Sequence, residues 1–219
     1  MTGEAPAVDH VRGAIMFVVG FALLWLSQRV ITPHIAAWLV PSFGPSTGSG
    51  LFLRHLLTFS LVTAAISLAA WVAFAHFGWL APPRPWLGFG PGAIRLGVIA
   101  GVALSAFVLI VGVALGERIH VHPDAWSMAG NVFSNYYEEL SYRGLLMQAA
   151  WAATGSRVAA VVLSSLVFGW SHMHGSHATE MLIGATIAGC VFGALAIRTR
   201  SLGGAWVAHQ VSDMILDSL

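Results

Sequence analysis

Charge is what this sequence has least of: Asp, Glu, Lys and Arg together make up 9% of its 219 residues. A soluble domain carries roughly 25% charged residues, because its surface must face water. A chain with so few faces a solvent as apolar as itself, which is lipid. Lysine is missing altogether; all ten basic residues are arginine, and the formal net charge is +1 with a pI of about 8.1. So even a balance excludes nucleic acid and strongly acidic partners as electrostatic targets. The single cysteine, Cys190, excludes an internal disulfide and any zinc cluster built on thiolates. There is no internal repeat and no low-complexity tail, so one membrane domain is the simplest organisation.

What is there is apolar: 57% of residues are hydrophobic and mean hydropathy is +0.78. A bilayer-spanning helix needs about 20 mostly apolar residues. Candidate spans are Ala14–Ile31, Leu56–Leu80, Leu96–Gly116, Ala125–Trp151, Val158–His172, Met181–Ile197 and Gly203–Leu216. Seven is the central count and six to eight the range, because the fourth, fifth and seventh windows are short and interrupted by Glu, Arg, His and Asp. The second and third read as plain hydrophobic stretches. Open sheets cannot satisfy their backbone in lipid, so the expected fold is an all-α transmembrane helix bundle. Its N-terminal helices are expected over residues 1–124 and a second helical set, which carries most of the ionisable residues inside apolar runs, over 125–219.

The first apolar run follows a short head carrying Arg12 and continues through Leu23-Leu24-Trp25-Leu26 to Arg29 and Pro33. With no small-x-small cleavage site after it, it reads as an uncleaved first span. Pro/Gly-rich connectors lie at Pro41–Gly50 and Ala81–Gly92, and short polar ones at Glu117–Asp124 and Arg198–Ser201. Seven spans put Arg12, Arg84, Arg95, Arg157, Arg198 and Arg200 on one side and Arg29, Arg54 and Arg118 on the other. The excess of arginine marks the cytoplasmic face, so the N-terminus is expected in the cytoplasm. Arginine-only usage with abundant Ala and Gly fits a GC-rich bacterial source, which would make the membrane the inner one.

Ionisable groups in the hydrocarbon region cost about 2.5–3.5 kcal/mol each on insertion scales, so each needs a partner or a task. Three stretches carry them. In Tyr136-Tyr137-Glu138-Glu139-Leu140-Ser141-Tyr142-Arg143, Glu139 and Arg143 are four apart and share a helix face, which favours an ion pair. Glu138 is rotated about 100° away and is left as the unpaired carboxylate, a candidate general base. Phe168-Gly169-Trp170-Ser171-His172 closes the fifth span, and His209-Gln210-Val211-Ser212-Asp213 puts an imidazole and a carboxyl group on one face of the last. A carboxylate and an imidazole aimed at one water can activate it against a peptide carbonyl, and a second polar pair can donate hydrogen bonds to the developing oxyanion. Asp213 must be protonated to donate in this way; otherwise it orients His209.

The order and spacing of EExxxR (Glu138-Glu139-x-x-x-Arg143), FxxxH (Phe168-x-x-x-His172) and HxxxN/D (His209-x-x-x-Asp213) resemble the three signature motifs of the CPBP family. That family includes the type II CAAX prenyl endopeptidases and the bacterial Abi-type membrane proteins. The resemblance covers roughly residues 131–216, about 40% of the chain. It implies an intramembrane endopeptidase whose water-activating pair is Glu138 and His172, whose oxyanion-stabilising pair is His209 and Asp213, and whose substrate is a membrane-associated protein or peptide. Eukaryotic relatives often carry Asn where this chain has Asp213, and family members have been described both as metalloproteases and as glutamate-type proteases. Glu138, His172 and His209 could make a zinc site with an open position for water, although no HExxH spacing is present. No other cofactor is implied.

Counting 1.5 Å per residue puts Glu138, His209 and Asp213 in the inner half of the bilayer and His172 nearer the outer side. His172-x-His174-x-x-His177 and His120-x-His122-x-Asp124 read as a polar helix end and a wet loop. Tryptophans such as Trp79, Trp86 and Trp126 fall near span ends, as an interfacial belt does. Gly184, Gly189 and Gly193 are expected to allow close helix packing. Two other function classes compete with the protease: a non-catalytic membrane scaffold or immunity protein of the same family, and a small transporter using the buried Glu and His groups as a proton relay. The absence of a paired half-repeat counts against the transporter.

Overall fold

A computed structural model describes residues 9–39, 56, 60–116, 125–173, 175 and 177–216. Every regular element among them is helical. Helix α1 (His10–Leu26) runs through a π-helical turn, Ser27–Ile31, into α2 (Thr32–Leu39). Then come α3 (Leu61–His76) and α4 (Pro91–Ala114). Helix α5 (Ala125–Glu138) passes through a π-helical stretch, Glu139–Leu146, into α6 (Met147–Thr154). Helices α7 (Arg157–Ser171), α8 (Ala178–Thr199) and α9 (Leu202–Leu216) complete the bundle. Counting joined helices once gives seven rods among the described residues, in register with the seven apolar windows. Three segments are long and apolar enough to cross a membrane by length and composition: His10–Trp38, Pro91–Ala114 and Ala178–Thr199.

The distribution of residues is that of a lipid-solvated bundle. Helix α4 turns Ile99, Val102, Phe107 and Ile110 outward, the last 69% exposed, while Glu139 and Arg143 are fully buried. Water would reward the opposite arrangement; hydrocarbon rewards this one.

Contacts fix which turns share an end. The Arg12 guanidinium lies over Trp79 at 6.0 Å, His10 Nδ1 donates to the Ala153 carbonyl at 2.5 Å, and Arg157 lies over Trp151 at 5.0 Å. At the turn into α9, the Leu202 N–H donates to Trp86 O at 2.7 Å and the Ser201 hydroxyl donates to Gly88 O. Trp86 is therefore 6% exposed and plugs the end of the bundle, where the sequence suggested an interfacial position. The 77–90 connector wraps this end and needs an apolar side chain to seal it.

Glycine decides where helices touch. A Cβ on Gly97 would lie 2.5 Å from Gly204 O, and one on Gly101 2.6 Å from Ala208 O, so α4 lies backbone-to-backbone along α9. This Gly97-x-x-x-Gly101 pair is a small-xxx-small seam inside a stretch that reads as featureless apolar sequence. Gly189 and Gly193 do sit at close contacts, against Ser165 and Val161. Gly184 does not: nothing would lie within 4 Å of a Cβ there. It faces open space, for a reason that the site explains.

Candidate active site

The polar residues converge where α5 gives way to its π stretch. A π-helix closes i→i+5 bonds and occurs mostly as short bulges inside α-helices, often at functional sites. Here all eight residues from Glu139 to Leu146 are buried. The sequence predicts a plain α-helix through this span, and the π stretch is the main departure from it.

Glu139 is paired with Arg143 as the spacing requires, with Nη1 3.3 Å from Oε1 and both side chains at 0% exposure. The contact is an ion pair without hydrogen-bond alignment; Nε and Nη1 of Arg143 and Oε2 of Glu139 have no hydrogen-bond partner among the described residues. The guanidinium is held instead by Nη2 donating to Gly189 O at 3.2 Å and by the Phe168 and Phe192 rings, 4.5 and 5.4 Å away. The same Oε1 lies 3.0 Å from Nδ1 of His209. Because a carboxylate only accepts, His209 carries its proton on Nδ1, and Glu139 orients the imidazole as well as pairing the arginine. Sequence spacing revealed the first partner and missed the second, which lies 70 residues away on α9.

His209 is fixed further by Phe192, whose ring stacks on it at 4.6 Å and 24°, and by the edge of Phe168 at 5.7 Å. Its Nε2 lies 3.8 Å from Glu138 Oε2 and 3.6 Å from Asp213 Oδ2. Phe192 belongs to none of the three motifs, and its only sequence signal is an aromatic residue within a glycine-rich helix.

His172 caps the C-terminus of α7, with its N–H donating to Gly169 O at 3.1 Å. Its Nδ1 lies 2.8 Å from Phe168 O and 3.3 Å from Ser171 Oγ. A carbonyl cannot donate, so this contact places the ring proton on Nδ1 and leaves Nε2 with a free lone pair. That nitrogen lies 4.0 Å from Glu138 Oε2. The depth count that sets His172 apart from Glu138 presumes upright helices with level ends, and this contact overrules it.

Glu138, expected as the carboxylate without a cation, thus faces the Nε2 atoms of two imidazoles from two other helices. It stands behind them, 14% exposed, and does not line the cavity in front. That cavity holds about 330 Å³ between α4, α7, α8 and α9. His172, His209 and Asp213 form its polar end; its walls include Phe107, Gly184 and Leu216. The open space at Gly184 is this cavity.

A tetrahedral zinc site needs donors about 2.0–2.1 Å from the metal. Among the described residues no three His, Cys, Asp or Glu side chains are gathered for one. His120, His122, Asp124 and His174 lie outside the described residues, as do the Pro41–Gly50 and Glu117–Asp124 connectors.

Comparison with curated proteins and with solved structures gives no match. Residues 121–215 match the family model described as type II CAAX prenyl endopeptidase Rce1-like. The match spans every residue of the convergence just described and none of α1–α4. Through this segment the chain is similar to the Rce1-like type II CAAX prenyl endopeptidases, in keeping with helices apolar enough to make it an integral membrane protein.

Proposed function

We propose that the protein is an intramembrane endopeptidase of the glutamate type, in which Glu138 and His172 activate water and His209 and Asp213 stabilise the oxyanion. The observation that carries this reading is the position of Glu138 Oε2, 4.0 and 3.8 Å from the Nε2 atoms of His172 and His209. A separation of this size lets a single water bridge carboxylate and imidazole within hydrogen-bond reach of both. His172 Nε2, with its lone pair free, accepts from that water and aims it; Glu138 takes the other proton as the water oxygen attacks the peptide carbonyl. The C–O bond forms, the C–N bond breaks, and Glu138 returns the proton to the departing amine.

Negative charge on the carbonyl oxygen is met by His209. Its Nδ1–H is committed to Glu139, so Nε2 donates when the ring carries both protons. A donor held in place before the reaction costs no reorganisation when the charge appears. Asp213 supplies a second donor in its protonated form. The substrate is a membrane-associated protein or peptide. The excess of arginine at the end of the bundle that carries the α1 start and the α6–α7 and α8–α9 turns supports a cytoplasmic N-terminus, and the proposed membrane is the inner one of a bacterium.

The test is cleavage of transmembrane peptides by protein reconstituted in liposomes. Glu138→Ala and His172→Ala should each lower cleavage by about 10²–10⁴, the usual contribution of a positioned acid–base group. Insertion and thermal stability should stay normal. Cleavage at the wild-type rate in both variants would overturn the reading.

A further inference from the structure

The cavity in front of the site has a shape and a rim that the proposed hydrolysis does not use. Its walls are almost wholly apolar: Leu104, Phe107 and Val108 come from α4, and Ile187 and Ala188 from α8. Phe107 and Ile187 also belong to the outer, lipid-facing surface, 51% and 42% exposed. The cavity is therefore a groove that opens sideways between α4 and α8, toward the bilayer. Gly184 forms part of its wall where a side chain of any size would project into it.

One rim residue breaks the pattern. Glu180, in the first turn of α8, borders the groove and is exposed. An acid in a first turn stabilises its helix through the macrodipole, which accounts for a carboxylate there and not for its place on the cavity. Among the described residues it makes no ion pair. Twelve residues separate Glu180 from Phe192, which stacks on His209. Helical rise and the backward lean of the Phe192 side chain make that about 12–18 Å along the groove. An extended peptide covers this distance in about four to five residues.

We infer that Glu180 is a specificity-determining residue: the groove admits from the bilayer an extended apolar segment bearing one basic residue about four to five positions from the scissile bond, and Glu180 pairs with that residue. This deepens the endopeptidase reading and rests on it. A carboxylate at the rim of an otherwise apolar groove adds a charge preference of the modest size seen for exposed ion pairs.

The test uses the full-length protein in phosphatidylcholine liposomes and a set of Leu/Ala transmembrane peptides, each with one Arg, Gln or Glu at a scanned position. Mass spectrometry should find the cut four to five residues from Arg and moving with it. Glu180→Arg should reverse the order so that Glu peptides are preferred. Binding of fluorescent peptides to Glu138→Gln protein supplies an arm that does not need turnover. There the Arg peptide should bind about fivefold tighter than the Gln peptide, the upper end for an exposed ion pair, and the Glu180→Arg background should abolish the advantage. A cut site and an affinity indifferent to the charge, in both backgrounds, overturn the inference. Charge-selective binding without any cleavage would uphold the groove and sink the hydrolase.

Discussion

The N-terminal and C-terminal helices bury polar groups in opposite ways. In α1–α4 the buried polar side chains are hydroxyls, and several are satisfied pairwise or locally: Ser27 Oγ lies 3.0 Å from Thr63 Oγ1, Ser67 Oγ lies 2.7 Å from Ser141 Oγ, and Ser105 donates to Gly101 O at 2.9 Å. The C-terminal set adds ionisable groups to buried hydroxyls and amides, and these are shared, with one oxygen of Glu139 serving both Arg143 and His209. A hydroxyl can lose its partner at a cost of about 1–3 kcal/mol. A buried charge cannot do so cheaply. The N-terminal helices build walls that tolerate revision, whereas the C-terminal network functions as a unit.

Arg143→Met is the harshest way to break that contrast. Removing one partner of a buried ion pair costs about 3–5 kcal/mol, because the charge left behind is uncompensated. The expected result is a large drop in thermal midpoint in detergent, with most of it recovered in the Glu139→Gln, Arg143→Met double variant. Recovery of stability in the double variant need not restore activity, since His209 then loses the carboxylate on its Nδ1. A single variant as stable as wild type would show that the pair is solvated and the network less tightly coupled than its burial implies.

A second, smaller effect separates wall from groove. Gly97→Leu drives a Cβ toward Gly204 O and Val207 and must push α4 off α9, an overpacking that typically costs about 1–3 kcal/mol. Because α9 carries His209 and Asp213, cleavage should fall with stability. Gly184→Leu meets open cavity, so its thermal midpoint should stay near wild type while KM for a transmembrane peptide rises. If the two glycine variants lost stability equally, the cavity beside Gly184 would not be open in the membrane.

These contrasts also mark what the sequence made legible. The pairs that spacing exposes are local: Glu139 with Arg143 and His209 with Asp213, each four residues apart on one helix. The second and third windows follow from apolar length alone, whereas the fourth, fifth and seventh are short and interrupted by ionisable groups. What spacing cannot expose is any contact whose partners are chosen by packing. The His209–Glu139 bond depends on α9 lying against a π stretch, and nothing in Glu-Leu-Ser-Tyr-Arg-Gly-Leu-Leu distinguishes i→i+5 from i→i+4 bonding. Phe192 was invisible because aromatic residues are common in apolar helices. The glycines show the same limit in both directions: Gly97 and Gly101 lay unnoticed in a run of valine, leucine and alanine, while Gly184, read as a packing residue, lines an opening. A small residue signals that something is close or that space is needed, and the sequence does not say which.

Asp213 sits at the edge of the charged network, and the smallest effect should arise there. Its side chain is 27% exposed and lines the cavity, so its loss leaves no fully buried charge behind. Its position 3.6 Å from His209 Nε2 is compatible with two tasks: donating to the oxyanion when protonated, or accepting from the imidazole when ionised. Asn separates them, since its amide donates at every pH and has no charge with which to hold an imidazolium. If the group works as a donor, Asp213→Asn should keep kcat within about tenfold of wild type, or about 1.4 kcal/mol of barrier. Asp213→Leu, which lacks any donor, should fall by about 10²–10³, the range seen when one oxyanion-hole donor is removed. Equal losses in Asn and Leu would mean that the carboxylate charge is what matters. His209 would then be oriented from both nitrogens, by Glu139 on one side and Asp213 on the other, with neither N–H left for the oxyanion.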